Sequence, residues 1–219
     1  MTRNKYPEET LKKIMDVSLK LFLEKGYEQT TILDIVDNLG GLTRGAFYHH
    51  FKTKEDVLEA IFNSDPFNDE EEIFEQAKRS DAANGLERVK HFLKSALLSN
   101  IENEQSIAMI KFALPLMANP RFLAEKLKYD QRTAELLAPF IEDGMADGSI
   151  KQGNPKVLAS LFMVLANFWM FPTIFPCDRE ESIAKAMVIK QIFEGLGLPI
   201  IDEEVEKVFF DVFDTVNEN

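Results

Sequence analysis

One cysteine, Cys177, stands among 219 residues, so no intrachain disulfide can form and a reducing compartment is expected. The N-terminus lacks an apolar leader: Met1 opens a polar, charged segment, and no signal peptide is expected. The alternating apolar–polar pattern of a half-buried strand is missing throughout. There is no His/Cys pairing at metal-ligand spacing, no phosphate-cradling glycine loop and no Ser/His/Asp order that stands out. No metal, no cofactor and no catalytic residue is therefore expected, and an enzyme is the weaker reading. Repeats and low-complexity tracts are absent too. One long run, Val157 to Cys177, lacks charge and approaches the length of a membrane span. Pro172 and Pro176 interrupt it and Ser160 and Asn167 lie inside it, so a buried helix at a core or subunit interface is expected rather than a span. Cys177, in that apolar run, is read as packing rather than as a nucleophile.

The most informative absence is local. The formal charge is −12, yet no Asp or Glu occurs between Asp37 and Glu55. Residues 1–64 hold 9 Lys and Arg against 10 Asp and Glu, which leaves 16 against 27 for the remainder. The two parts thus carry −1 and −11 and suit different tasks. The acidic part repels phosphate, whereas an acid-free window in an acidic chain suits a polyanion. Two domains are expected, residues 1–64 and 65–219. Apolar residues make up 45% of the chain, enough to bury a core.

What is present is helical periodicity. Leu11, Ile14, Met15, Leu19 and Phe22 mark a first helix from about Glu8 to Lys25, with Pro7 at its start and Gly26 at its exit. Thr31 and Asp34 make a capping box for a second helix with Ile32, Ile35, Val36 and Leu39 inside. Gly40 and Gly41 end it and allow a sharp turn. Thr43 caps a third helix, Arg44 to Phe51, anchored by Phe47 and Phe51. Thr53 with Asp56 caps a fourth. This is a helix–turn–helix domain closing near Ser64. Beyond it, a helix is expected from Glu71 to Arg79, another from Gly85, one stopped by Pro115, and a long one from Asn119-Pro120 punctuated by Gly144 and Gly148. Asn154-Pro155 opens the uncharged helix to about Phe171, Asp178 opens one to about Glu194, and Asp202 opens the last. The fold class is all-α: an N-terminal three-helix helix–turn–helix domain followed by a larger helical domain.

Thr30 to Lys54 closely resembles the TetR family of bacterial transcriptional regulators. The matching residues are Thr30, Thr31, Ile35, Gly41, Leu42, Thr43, Gly45, Tyr48, His50, Phe51, Lys54 and Leu58, with Phe22, Gly26 and Tyr27 before them. Gly40-Gly41 makes the turn one residue longer than the usual pattern. Ile141 to Ile150 is similar to the ending of the family's seventh helix.

A helix can enter the major groove and read base edges with its first residues. Arg44 can pair with guanine or hold a phosphate. Gly45 lets the backbone approach closely, and Ala46 can meet a thymine methyl. The resemblance implies phosphate contacts for Tyr48 and His50 and a position near the groove for His49. Thr31 and Lys54, at helix starts, are expected on phosphates, with Thr30 a further candidate. Thr43 has a capping role with or without DNA. Adjacent histidines on a helix point apart and make a poor metal pair. A domain of charge −1 should bind random duplex only modestly and depend on a matched sequence.

The resemblance also implies a second domain that dimerises and binds a small molecule, giving a roughly palindromic double-stranded operator read by a cytoplasmic homodimer that acts as a repressor. The family's eighth and ninth helices, here about Pro155 to Phe171 and Arg179 to Glu194, would form the dimer bundle. Leu158, Leu161, Phe162, Leu165, Phe168 and Trp169 are its expected surface. Met109, Phe112, Met117, Phe122, Tyr129 and Phe140 are the candidate pocket lining, suited to an apolar or flat cationic effector. The alternative is a helical interaction module, or one tethered to a membrane through Val157–Cys177, without ligand response.

Overall fold

Most helices here begin where a short side chain bonds back to the main chain. Thr31 accepts from the N–H of Asp34, Thr43 from Ala46, Asn84 from Glu87, Asn154 from Val157 and Asp178 from Glu181. Each satisfies a donor that the first helical turn leaves open. The computed structural model describes residues 7–63, 70–102, 104–170 and 174–217, and no strand occurs among them. The helices are α1 (Pro7–Lys25), α2 (Ile32–Asn38), α3 (Arg44–His50), α4 (Lys54–Asn63), α5 (Glu70–Arg79), α6 (Gly85–Ser99), α7 (Glu104–Leu116), α8 (Pro120–Asp147), α9 (Pro155–Val164), α10 (Arg179–Gly195) and α11 (Glu203–Asn217). The chain forms two compact units, Met1–Asn68 and Asp69–Asn219. The expected boundary at residues 64 and 65 lies outside the described residues, as does Phe171, the expected end of the uncharged helix. Among the described residues no helix is long and apolar enough to cross a membrane.

In the first unit, Ile14, Phe22, Ile35, Leu39, Phe47, Val57 and Leu58 are fully buried. Gly26, at φ 84°, turns the chain out of α1 and brings Tyr27 edge-on against Phe22 at 5.2 Å between ring centroids. An L-residue at such a φ would be strained.

In the second unit, α8 runs for 28 residues, about 42 Å. It packs on α6 and α9. The core joins Val89, Phe92, Leu137, Ile141, Phe193 and Leu198 with residues of α5 and α9. Four expectations change here. Pro115 does not stop α7; it stands in the last turn, and the chain leaves through successive tight bonds, Met117 N–H to Leu114 and Asn119 N–H to Leu116. Gly144 does not end α8. It is buried inside the helix, where Gly85 crosses so closely that a Cβ on Gly85 would lie 2.1 Å from the Gly144 nitrogen. Gly148, at φ 83°, is the actual cap. Phe140 belongs to the main core, not to a pocket lining: it stacks on Phe74 at 4.7 Å and meets the edge of Phe92. Leu158 and Phe162 also face their own core rather than a partner, with Phe162 edge-on to Phe193 at 5.5 Å. Past Val164 the helix opens into a π turn, Leu165–Trp169, an irregularity that periodicity did not suggest.

Candidate nucleic-acid interface

The α2–α3 pair is held by its caps and by two inward aromatics. Thr31 and Asp34 form a reciprocal box: the Thr31 hydroxyl accepts from Asp34 N–H at 3.1 Å, and Asp34 accepts from Thr31 N–H at 2.8 Å. Asp34 also accepts from the Lys25 ammonium at 2.7 Å. That ammonium first, then the Thr31 hydroxyl and N–H, hold the Asp34 carboxyl well below the usual carboxylate range. Asp34 is therefore already matched by a cation and a helix start, while Asp37, which bounds the window, is exposed. Between the helices, Leu39 closes α2, and Gly40 and Gly41 follow at φ 58° and 95°. Both φ values lie in the left-handed region, which glycine adopts without a steric penalty.

On α3, Phe47 is fully buried and Phe51, at the C-cap, nearly so. With those rings inside, Arg44, Gly45, Tyr48 and His49 face outward, and Tyr48 is 47% exposed. Arg44 with Tyr48, and Gly45 with His49, are each four residues apart, so two adjacent rows run along one helix face. Thr43, Lys52 and Thr53 are exposed beside them. Ala46 is half-buried on the flank, and its N–H bonds Thr43. His50 is half-buried; burial, then the neighbouring His49, lowers its pKa. Past the other edge, one residue beyond Glu55, Asp56 is also engaged, accepting from the N–H groups of Lys52 and Thr53 at 3.0 Å each.

Two expected contacts land elsewhere. Thr30 is buried, and its hydroxyl donates to the carbonyls of Leu21 and Gly26. It fastens the exit of α1 and is withdrawn from any DNA-facing surface. Lys54 turns inward: its ammonium donates to the Tyr27 carbonyl at 2.6 Å and stands 4.2 Å from the centre of the Tyr27 ring. It fastens α4 to the end of α1. The Lys25–Asp34 pair was missed, since nothing in a spacing of nine residues announces it.

In the second unit, the candidate pocket residues divide. Met109, Met117 and Phe122 are buried but stand apart from the main core; Phe112 and Tyr129 are half-buried. Of the expected dimer surface, Leu161, Leu165, Phe168 and Trp169 are half-buried. The exposed apolar residues on these helices are different ones: Val157 and Val164 on α9, and Met187, Val188 and Ile192 on α10. The described residues hold no group of three or more His, Cys, Asp or Glu placed to bind a metal ion.

Comparison with known proteins agrees with this geometry. Residues 14–61 match the family described as bacterial regulatory proteins, tetR family. The chain is 30% identical over 159 residues to the HTH-type transcriptional repressor KstR2 of Rhodococcus jostii, covering 68% of this chain and 72% of that protein. It is 26% identical over 181 residues to the HTH-type transcriptional regulator YvkB of Bacillus subtilis, covering 83% and 92%. A solved TetR/AcrR-family regulator from Thermobifida fusca superposes with a TM-score of 0.57 at 27% identity, over 86% of this chain and 97% of that one. For a TetR-family regulator from Pectobacterium atrosepticum the TM-score is 0.64 over 90% and 98%; at 21% identity that likeness speaks for the fold alone.

Proposed function

Because the chain belongs to the TetR family, and is a DNA-binding transcriptional regulator rather than an enzyme, we propose that it holds a roughly palindromic operator as a homodimer, represses from it, and releases it when a small apolar or cationic molecule binds the second unit. Residues 1–64 read the DNA, and residues 65–219 dimerise and bind the effector in the cytoplasm. The observation that carries the reading is the outward face of α3. Arg44, Gly45, Tyr48 and His49 are exposed together, no acid interrupts them, and the flanking Asp34 and Asp56 carboxylates are engaged in caps. A face of this kind can enter a major groove. Arg44 reaches a guanine edge or a phosphate, Tyr48 and His50 donate to phosphates, and Thr43 holds the helix start.

Repression is the proposed sign because KstR2 carries that name. Dimerisation is supported by Val157, Leu161 and Val164, which line one side of α9, with Met187, Val188 and Ile192 on α10. Such an apolar surface is covered most simply by a second copy. The effector acts by population shift, favouring a dimer whose recognition helices no longer fit the operator.

The test is selection of bound duplexes from random DNA, with the full chain and with Arg44→Ala. A palindromic consensus that weakens at one position in the variant is expected. Equal binding to random and selected duplex at moderate salt would refute the reading.

A further inference from the structure

Along α8, Phe122, Lys126, Asp130, Thr133 and Leu137 follow one another at three- and four-residue steps, so they share a face. The main core ends on this face near Ala134, and Phe122 is buried beyond it. Between the two apolar stretches lies Asp130, only 3% exposed. Its Oδ1 accepts from the Asn167 amide at 2.9 Å and from the Lys126 ammonium. Its Oδ2 is buried and has no hydrogen-bond partner among the described residues. Asn167 comes from the π turn, where one added residue per turn redirects the side chains; such turns are frequent at functional sites.

A buried carboxylate with a bare oxygen is costly to keep and is unnecessary for packing, where an apolar residue would serve. Lys126 shows what the site accepts. Its ammonium bonds Asp130 while standing 5.3 Å from the centre of the Tyr129 ring, and the side chain remains 23% exposed. One cation thus meets a carboxylate and an aromatic ring and keeps a path back to water. We propose that Asp130, with Asn167 and Tyr129, anchors the protonated amine of an organic cation, and that Lys126 is the internal stand-in which the ligand displaces. The ligand's N–H groups satisfy Oδ2 as well as Oδ1, and its apolar part lies towards Phe122. A unit of strongly negative charge draws such a cation in.

This rests on the reading of the second unit as the effector-binding one. It is tested without DNA, because the only tryptophan, Trp169, is on the same π turn as Asn167 and reports binding by its fluorescence. The full chain is titrated with 4-phenylbutylamine and with its uncharged counterpart 4-phenylbutanol. The amine is expected to bind more tightly than the alcohol. Asp130→Asn is expected to weaken the amine by at least about tenfold, and Lys126→Ala to tighten it. Equal binding of amine and alcohol overturns the proposal, as does a Lys126→Ala variant that binds the amine no better than the parent. The Lys126→Ala arm stands even where Asp130→Asn does not fold. Operator release by an uncharged compound indifferent to Asp130 would keep the effector reading and remove this one. Amine binding at Asp130 with no effect on the operator would do the reverse.

Discussion

Two short helices, α3 and α9, share an inner plan and differ in what they show to solvent. Each buries an apolar pair four residues apart, Phe47 with Phe51 and Leu158 with Phe162. Outward, α3 shows Arg44, Tyr48 and His49, whereas α9 shows Val157 and Val164. The inner rows are interchangeable in kind and state only that a helix is fixed to a core. The outer rows differ in chemistry, and under the proposed function that difference separates a polyanion from a second apolar surface as the partner. Position comes from one side of the helix and recognition from the other.

The comparison breaks most visibly from the inside. Phe47→Ala should cost about 3–5 kcal/mol, read by urea unfolding, and abolish duplex binding while sedimentation still reports a dimer. Retained duplex binding would mean that the inner row does not position the outer one. On the apolar face, Val164→Glu puts a charge where a partner should cover it. Association should weaken by about 3 kcal/mol or more, with helical content unchanged, as measured by sedimentation velocity. A dimer of unaltered strength would dissociate α9 from the interface. On the polar face, Arg44→Ala should cost about 1–3 kcal/mol on the selected duplex if it reads a base. If it holds a phosphate, sequence preference survives and the salt slope falls by about one. Thr31→Ala should remove about 1 kcal/mol of stability through loss of the α2 cap, checked by denaturant titration. The smallest effect is acid sensitivity. The folded state lowers the Asp34 pKa below its ordinary 3.8, so its contribution is complete above that value and declines as pH falls further. Unfolding curves at pH 5 and below should show this loss in the parent and not in Asp34→Asn.

The parts legible in the sequence were those decided within a few residues. Thr31, Thr43, Asn154 and Asp178 cap because a side chain reaches a backbone N–H three positions on, and that depends on little else. The all-helical class and the helix–turn–helix followed from the same local signals. Contacts across the chain were not legible. Lys54 bonds Tyr27 from 27 residues away, and Thr30 is buried through Leu21 and Gly26. On α9 the reason is different: apolar residues occur on every side, so periodicity cannot tell the inner row from the outer, and Leu158 and Phe162 were assigned outward. The π turn adds a further rotation, so any face extrapolated past Val164 slips.

The crossing of Gly85 over Gly144 sets unequal evolutionary freedoms for two glycines that look equivalent. A methyl at 85 would strike backbone, the Gly144 nitrogen and Cα and the Phe140 carbonyl, which have no shorter form to change into. A methyl at 144 would strike the end of the Ile150 side chain, 2.4 Å away, which a smaller residue at 150 can relieve. Position 144 can therefore drift in company with position 150, by a paired change that leaves the fold intact. Position 85 has no compensating partner and is fixed as glycine for as long as α6 starts on α8.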